Sequence, residues 1–380
     1  MARLGDLVTI SSSSEKLKCD TFWLLNLDMV EQQTGNIIEY NYVSKDQLNG
    51  SIIQFDADVV LYSKLRPNLN KVVLPEQAGF ATSEMLPLRP DSSKLLREYL
   101  AVYLRSDSFV TWAVSKTAGA KMPRLGTKEL LGKEFSHPSL CEQRKIVYEF
   151  QKINKLISLR KQQLAKLDEL VKSRFIEMFG NLVVGDKIRT DKHKIGEIAS
   201  VTKLAGFEFT KYIQYKEQGD IIMLRGLNCK KGHLVLDDIK WIDKETSDLL
   251  PRSKLYYGDI LMTYAGTIGD VAMVDVDNKY HLAPNVAKIT LTDKMAYNPI
   301  FLMHLFMYTN DYIMTFASVV AQASINMEKI RNFEYHFPSV EQQNAFAAFV
   351  EQTDKSKFEI QKSLEKLETL KKALMQKYFG

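Results

Sequence analysis

The side chains able to do chemistry in this 380-residue chain cluster in loops, and they are bases, amides and hydroxyls. Residues 62–71 read Tyr-Ser-Lys-Leu-Arg-Pro-Asn-Leu-Asn-Lys, which puts Ser63, Lys64, Arg66, Asn68, Asn70 and Lys71 in one stretch. Lys116, Lys121 and Arg124 follow. Later in the chain Lys203, Lys211, Arg225, Asn228, Lys230, Lys231, Tyr264, Thr267, Gln322, Asn326 and Lys329 form a comparable set. Lys and Arg neutralise phosphates, and amides match the donor and acceptor edges of bases. The pattern therefore reads as a binding surface for a polyanion. Taken singly, each residue also fits a solvated loop. The weight lies in two separate stretches carrying the same chemistry.

Patterns of catalysis are missing. There is no GxGxxG turn, no GxxxxGK[ST] loop and no GxSxG elbow. Gly266 and Gly269 follow a strand-like run and read as a tight strand-to-strand turn, not a phosphate cradle. The six histidines, His137, His193, His233, His281, His304 and His336, form no close ligand pair, so no metal site is expected. His304 lies on an apolar helix face and reads as a core residue. Cys19, Cys141 and Cys229 are far apart and in no CxxC pair, as expected of reduced thiols. A formal net charge of +5 permits a polyanionic partner without requiring one. The 45% hydrophobic and 26% charged content is that of a folded chain. The first residues show no signal-peptide pattern, and the longest apolar stretch, around 299–308, is too short to span a membrane. A cytoplasmic protein without membrane contact is expected.

The elements that must position these loops are announced by a repeat. Residues 138–180 and 338–380 align without a gap at an offset of 200 residues (338 − 138). Pro138/Pro338, Ser139/Ser339, Gln143/Gln343, Leu164/Leu364, Leu167/Leu367, Leu170/Leu370 and Gly180/Gly380 are among the identities. In the first copy Ile146, Phe150, Ile153, Ile157, Leu164, Leu167 and Val171 recur mostly at steps of three and four, the spacing of a packed helical seam. In the second, Phe346, Val350, Ile360, Leu364, Leu367, Leu370 and Leu374 do the same less regularly, interrupted by Thr353 and Lys357. The prolines sit where a helix begins and the glycines where it stops. Helices over 142–178 and 342–378 are predicted. Neither apolar face is wide enough for a large core, so the two helices are expected to pack on each other.

The regions before the helices share a plan. Residues 1–137 read as mixed α/β, with strand-like runs at 7–10, 22–27, 59–61 and 71–74 and helices at 94–105 and 109–116. Residues 181–337 repeat this: Ile195-Gly196-Glu197-Ile198 echoes Leu4-Gly5-Asp6-Leu7, and Gly258-Asp259-Ile260-Leu261 echoes Ala57-Asp58-Val59-Val60. The helix pair recurs at 299–308 and 312–318. The expected organisation is globule, long helix, globule, long helix, with bounds 1–137, 138–180, 181–337 and 338–380.

The chain resembles the specificity subunit of type I restriction-modification systems. The likeness rests on Pro138-Ser139-Leu140-Cys141-Glu142-Gln143 and Pro338-Ser339-Val340-Glu341-Gln342-Gln343, which look like that family's Pro-Leu-x-Glu-Gln segments. It rests also on Gly258-Asp259-Ile260-Leu261 with Gly266-Thr267-Ile268-Gly269, and on residues 62–67. The resemblance implies an α/β (α+β) fold of two target-recognition domains separated by two conserved helices that pair as an antiparallel coiled coil with pseudo-two-fold symmetry. It implies a non-catalytic chain that reads a bipartite, asymmetric target on double-stranded DNA, one half per globule, with the helices setting the unread spacer. Two methyltransferase subunits would bind it, carrying S-adenosylmethionine that this chain does not bind, and would methylate adenine. Two translocase-nuclease subunits could join them. The competing reading is a coiled-coil scaffold that binds only protein.

Overall fold

The computed structural model describes residues 2–13, 20–119, 121–318 and 323–380. It divides into two compact units, residues 1–162 with 361–380, and residues 163–360. The long helices are Leu140–Phe179 and Val340–Phe379, each of 40 residues, so each unit holds one end of both.

The shared prolines lie outside the helices, and the serines that follow them do the capping. The Ser139 hydroxyl accepts from the Glu142 amide, while the Glu142 carboxylate accepts from the Ser139 amide at 3.0 Å and hydroxyl at 2.8 Å. Ser339 and Gln342 repeat the reciprocal pair. This is a capping box, two free helix-end donors satisfied by residues three apart. At the other end Gly180 adopts φ +65° and its amide donates to the Ile176 carbonyl at 2.9 Å. Left-handed backbone there suits glycine.

Gln143 and Gln343, both buried, tie each helix to its own globule. The Gln143 side chain accepts from the Leu96 amide at 2.8 Å and donates to the Lys94 and Pro138 carbonyls. The Gln343 side chain accepts from the Asn298 amide at 2.9 Å and donates to the Pro338 carbonyl.

The helices run antiparallel within each unit. In the first, Phe150 packs on Phe379 and the Tyr378 hydroxyl donates to Glu149 at 3.0 Å. In the second, Phe346 packs on Phe175 and Phe179 with ring centroids 5.3 and 5.7 Å apart, and Lys357 pairs with Asp168 at 2.7 Å. Of the predicted seam, Ile146, Phe150, Ile153, Val171, Phe346, Val350 and Leu364 are buried. Ile157, Leu164, Leu167, Ile360, Leu367 and Leu374 are half-buried, as a two-helix contact allows. Leu370 does not belong to the seam; it is 50% exposed. Thr353, expected to interrupt the stripe, is buried, its hydroxyl donating to the Phe349 carbonyl four residues back.

The globules share a topology. In the first, Val8–Ile10, Met85–Pro90, Val60–Ser63 and Val72–Val73 lie side by side in that order, all antiparallel. In the second, Ala199–Lys203, Val286–Leu291, Ile260–Thr263 and Val271–Met273 do the same. A second sheet sets Thr21–Leu25 between Asn41–Ser44 (antiparallel) and Gly79–Thr82 (parallel), matched by Ile221–Leu224 between Lys240–Ile242 and Tyr280–Leu282. Among the described residues the first globule alone adds a further strand, Ile52–Phe55, to that sheet. Of the predicted strands, 59–61 and 71–74 appear as Val60–Ser63 and Val72–Val73. The helix pairs are Arg97–Leu104 with Asp107–Ser115, and Pro299–Tyr308 with Asn310–Met314.

The echo between residues 57–60 and 258–261 is one residue out of step. Val60 and Tyr62 pack in the core that includes Phe150, whereas Val59 and Leu61 pack under the second sheet. Ile260 and Met262 pack with Phe175, and Leu261 packs on the opposite side. Val60 therefore corresponds to Ile260, at the same offset of 200 (260 − 60) as the helices. A one-residue slip would send every side chain to the wrong face.

Candidate nucleic-acid interface

In each globule the central strand of the first sheet runs out into a loop, and a second loop clasps it. Leu125 donates to the Lys64 carbonyl at 2.9 Å, and the Arg66 amide donates to the Pro123 carbonyl at 2.8 Å. In the second globule Ile325 donates to the Tyr264 carbonyl at 2.9 Å, and Ala265 bridges Ser324 as Leu65 bridges Arg124. All these pairs differ by 200 (264 − 64, 325 − 125, 265 − 65, 324 − 124). The short helices Thr127–Gly132 and Met327–Arg331 follow each clasp. They press on the turns at Gly5 and Gly196, where an added Cβ would stand 3.2 and 2.9 Å from Leu131 and Arg331.

The clasp sorts the basic and amide residues. In the first globule, four of them are committed to the fold. Ser63 is buried and donates to the Leu65 carbonyl. Asn70 is buried and donates to the Arg105 carbonyl at 3.1 Å. Lys71 donates to the Leu27 carbonyl, and its burial lowers the ammonium's pKa. Arg124 is held by both oxygens of Glu84, at 3.0 to 3.2 Å. For Asn70, Lys71 and Arg124 partners distant in sequence fill donors that look free in the chain, whereas Ser63 is satisfied locally, two residues on. Arg66, Asn68 and Lys121 remain exposed, and Lys64 half-buried, with no side-chain partner among the described residues.

In the second globule, Asn228 is fully buried and its amide donates to the Val235 and Asp238 carbonyls. Arg225 is paired with Asp238 at 2.7 Å. Asn326 caps its helix by accepting from the Lys329 amide, and the Lys329 ammonium donates to the Phe316 carbonyl at 2.7 Å. The exposed set is Lys203, Lys211, Lys230, Lys231 and Thr267. Lys203 lies over the half-buried ring of Tyr264, 5.5 Å from its centroid, and Lys211 over that of Tyr212. Such cation–ring pairs leave the ammonium beside an aromatic face. Gln322 lies outside the described residues. Lys231 lies on a different loop from Tyr264. It sits at φ +49° in a hairpin turn and lines a cleft of about 1250 Å³ walled by Met303, Met307 and Phe358.

At the end of the second globule's loop, burial raises the pKa of the Asp270 carboxyl, and Lys230 and Lys231 oppose the rise. His304 is buried against Tyr308, its Nδ1 3.3 Å from the hydroxyl, and burial pushes its pKa down to about 3. Burial pushes the Cys229 thiol up to about 12, so it is no thiolate at neutral pH. Among the described residues no group of His, Cys, Asp or Glu is arranged to hold a metal ion, and no helix is long and apolar enough to cross a membrane. The arrangement offers free cations, amides and an aromatic face on repeated loops.

Residues 190–372 match the family described as the type I restriction modification DNA specificity domain. This stretch therefore carries a specificity domain of that family. Over 154 residues the chain is 25% identical to the type I restriction enzyme EcoDI specificity subunit of Escherichia coli, covering 40% of this chain and 34% of that protein. Over 166 residues it is 26% identical to the EcoBI specificity subunit of the same organism, covering 42% and 35%. Each match thus spans about a third of these curated relatives' length. The fold is shared with a chain solved in work on complex assembly and conformational transition of the type I R-M system, at a TM-score of 0.62 and 15% identity over 100% of this chain and 96% of that one. It is shared also with the type I restriction-modification system S subunit from M. genitalium, at 0.59 and 12% over 100% and 95%.

What sequence reading missed is the clasp itself and the part of Glu84 in it. The signal was present: the offset of 200 continues from the helices into residues 60–66 and 124–125.

Proposed function

We propose that this chain is the DNA-reading subunit of a type I restriction-modification complex. The observation that carries the reading is the repeated clasp: two globules of one topology present loops at equivalent positions with different side chains. Phosphate contacts position a protein on DNA while base contacts specify, and Lys, Arg and amide side chains serve both. Two dissimilar loop sets on one scaffold suit a target of two unlike halves.

In this reading the chain carries out no reaction. Two methyltransferase subunits bring S-adenosylmethionine and methylate adenine flipped out of the duplex; two translocase-nuclease subunits join them for cleavage. The paired helices fix the distance between the halves.

The test is to map N6-methyladenine across the host genome with and without this gene. Loss of methylation at one gapped, two-part sequence is the expected result. An unchanged map, together with no sequence-selective DNA binding by whatever complex co-purifies with the chain, would leave a protein-binding scaffold in its place.

A further inference from the structure

The clasp demands an unusual backbone at one position. In the second globule that position is Gly266, at φ +84° with open space where a Cβ would be. In the first it is Arg66, at φ +50° and ψ 67°. A side chain in the left-handed region is uncommon and strained, and such residues persist where the surrounding structure holds them, often at functional sites. Glycine relieves that strain in one globule; the other keeps an arginine.

The strain is not explained by any contact the side chain makes within the fold. The Arg66 guanidinium is exposed and has no hydrogen-bond or ion-pair partner among the described residues. Its neighbour Arg124 is neutralised by Glu84. The Arg66 backbone, by contrast, is held from both sides. Its amide donates to the Pro123 carbonyl at 2.8 Å, and its carbonyl accepts from the Leu69 amide at 2.9 Å. Pro67 restricts the next turn of chain. The fold fixes the backbone from which the side chain leaves, and the side chain is exposed. A phosphate tolerates a mobile lysine, whereas a base edge needs a directed, planar fork.

We infer that Arg66 is a base-reading residue, its guanidinium donating two parallel hydrogen bonds to O6 and N7 of a guanine in the half-site read by the first globule. This rests on the DNA-reading function proposed above. Arginine paired in this way to guanine is the commonest specific contact in the major groove.

The test compares the wild-type chain with Arg66→Gly and Arg66→Lys, each assembled with its methyltransferase subunits, on a randomised duplex library. Sequencing of the methylated fraction, a salt titration and a melting curve are read for each. Glycine is at ease at φ +50°, so Arg66→Gly is expected to melt no lower than wild type. Lysine keeps the charge and loses the fork. Both variants are expected to lose about tenfold or more of the discrimination at one G·C pair of one half-site, with the other half-site unaltered. If both keep the wild-type preference, or if affinity falls equally for every sequence with the salt slope reduced by about one, Arg66 contacts a phosphate or nothing and the inference fails. A wild-type complex with no sequence preference would instead overturn the DNA-reading function, and this inference with it.

Discussion

At the scale of single residues, side chains identical in both copies carry definite jobs. Gln143 satisfies the Leu96 amide and two carbonyls from inside the protein. Replacing it by leucine strands those groups without water. Gln143→Leu is expected to cost about 2–3 kcal/mol in urea unfolding, since an unpaired buried amide costs roughly 1–3 kcal/mol. A loss under about 0.5 kcal/mol would mean that the helix start is not anchored there. His304 supplies a pH signature. Its folded pKa, near 3, lies below the ordinary histidine value of 6.5. The unfolded chain therefore takes up the proton first on acidification. Stability from the neutral imidazole is complete above about pH 6.5 and drains as pH falls toward 3, by at most about 1.4 kcal/mol per pH unit. Lys357 and His233 oppose protonation further, and Lys357 is itself paired with Asp168 and Asp354. Denaturation midpoints of wild type and His304→Leu should diverge in slope between pH 6 and pH 4; parallel curves would remove His304 as the source.

At the scale of elements, the long helices are held mainly at their ends. Phe175 and Phe179 pack against Phe301 and Phe346 with centroids 5.1 to 5.8 Å apart. Phe175→Ala should destabilise the second unit by about 3–5 kcal/mol, the usual cost of emptying an aromatic core site. The C-terminal helix offers an internal control. Leu364 is 6% exposed and Leu370 is 50% exposed, though both recur at the same offset from the first helix. Leu364→Ala is expected to cost about 2 kcal/mol or more and Leu370→Ala under about 1 kcal/mol. Equal losses in thermal melts would show that the seam runs along a different face.

At the scale of the whole molecule, two globules with separate clasps should read separately. Lys203→Ala with Tyr264→Ala removes the exposed cation and its aromatic platform from the second globule alone. The assembled complex is then expected to lose about tenfold in preference for one half of its target, and the half sensitive to Arg66 should be unaffected. Losses spread over both halves would show that the globules do not act as independent readers.

The sequence by itself determined what is local or periodic. The gapless repeat, the two helices and their stops at Gly180 and Gly380 could be read from spacing, because a helix side chain's neighbours lie three and four residues away. The capping boxes at Ser139 and Ser339 are equally local, each formed by residues three apart. Only the tertiary structure decided which polar loop residues are free. Ser63, Asn70, Lys71, Arg124, Asn228 and Lys329 look available in the chain, yet each is engaged within the fold by groups that include Arg105, Leu27, Glu84, Asp238 and Phe316. The register of the central strands was decided the same way, since the face a strand presents depends on what packs against it. Arg66 combines both levels. Its type is written in the sequence, but its left-handed backbone follows from a clasp whose two halves lie some sixty residues apart in the chain.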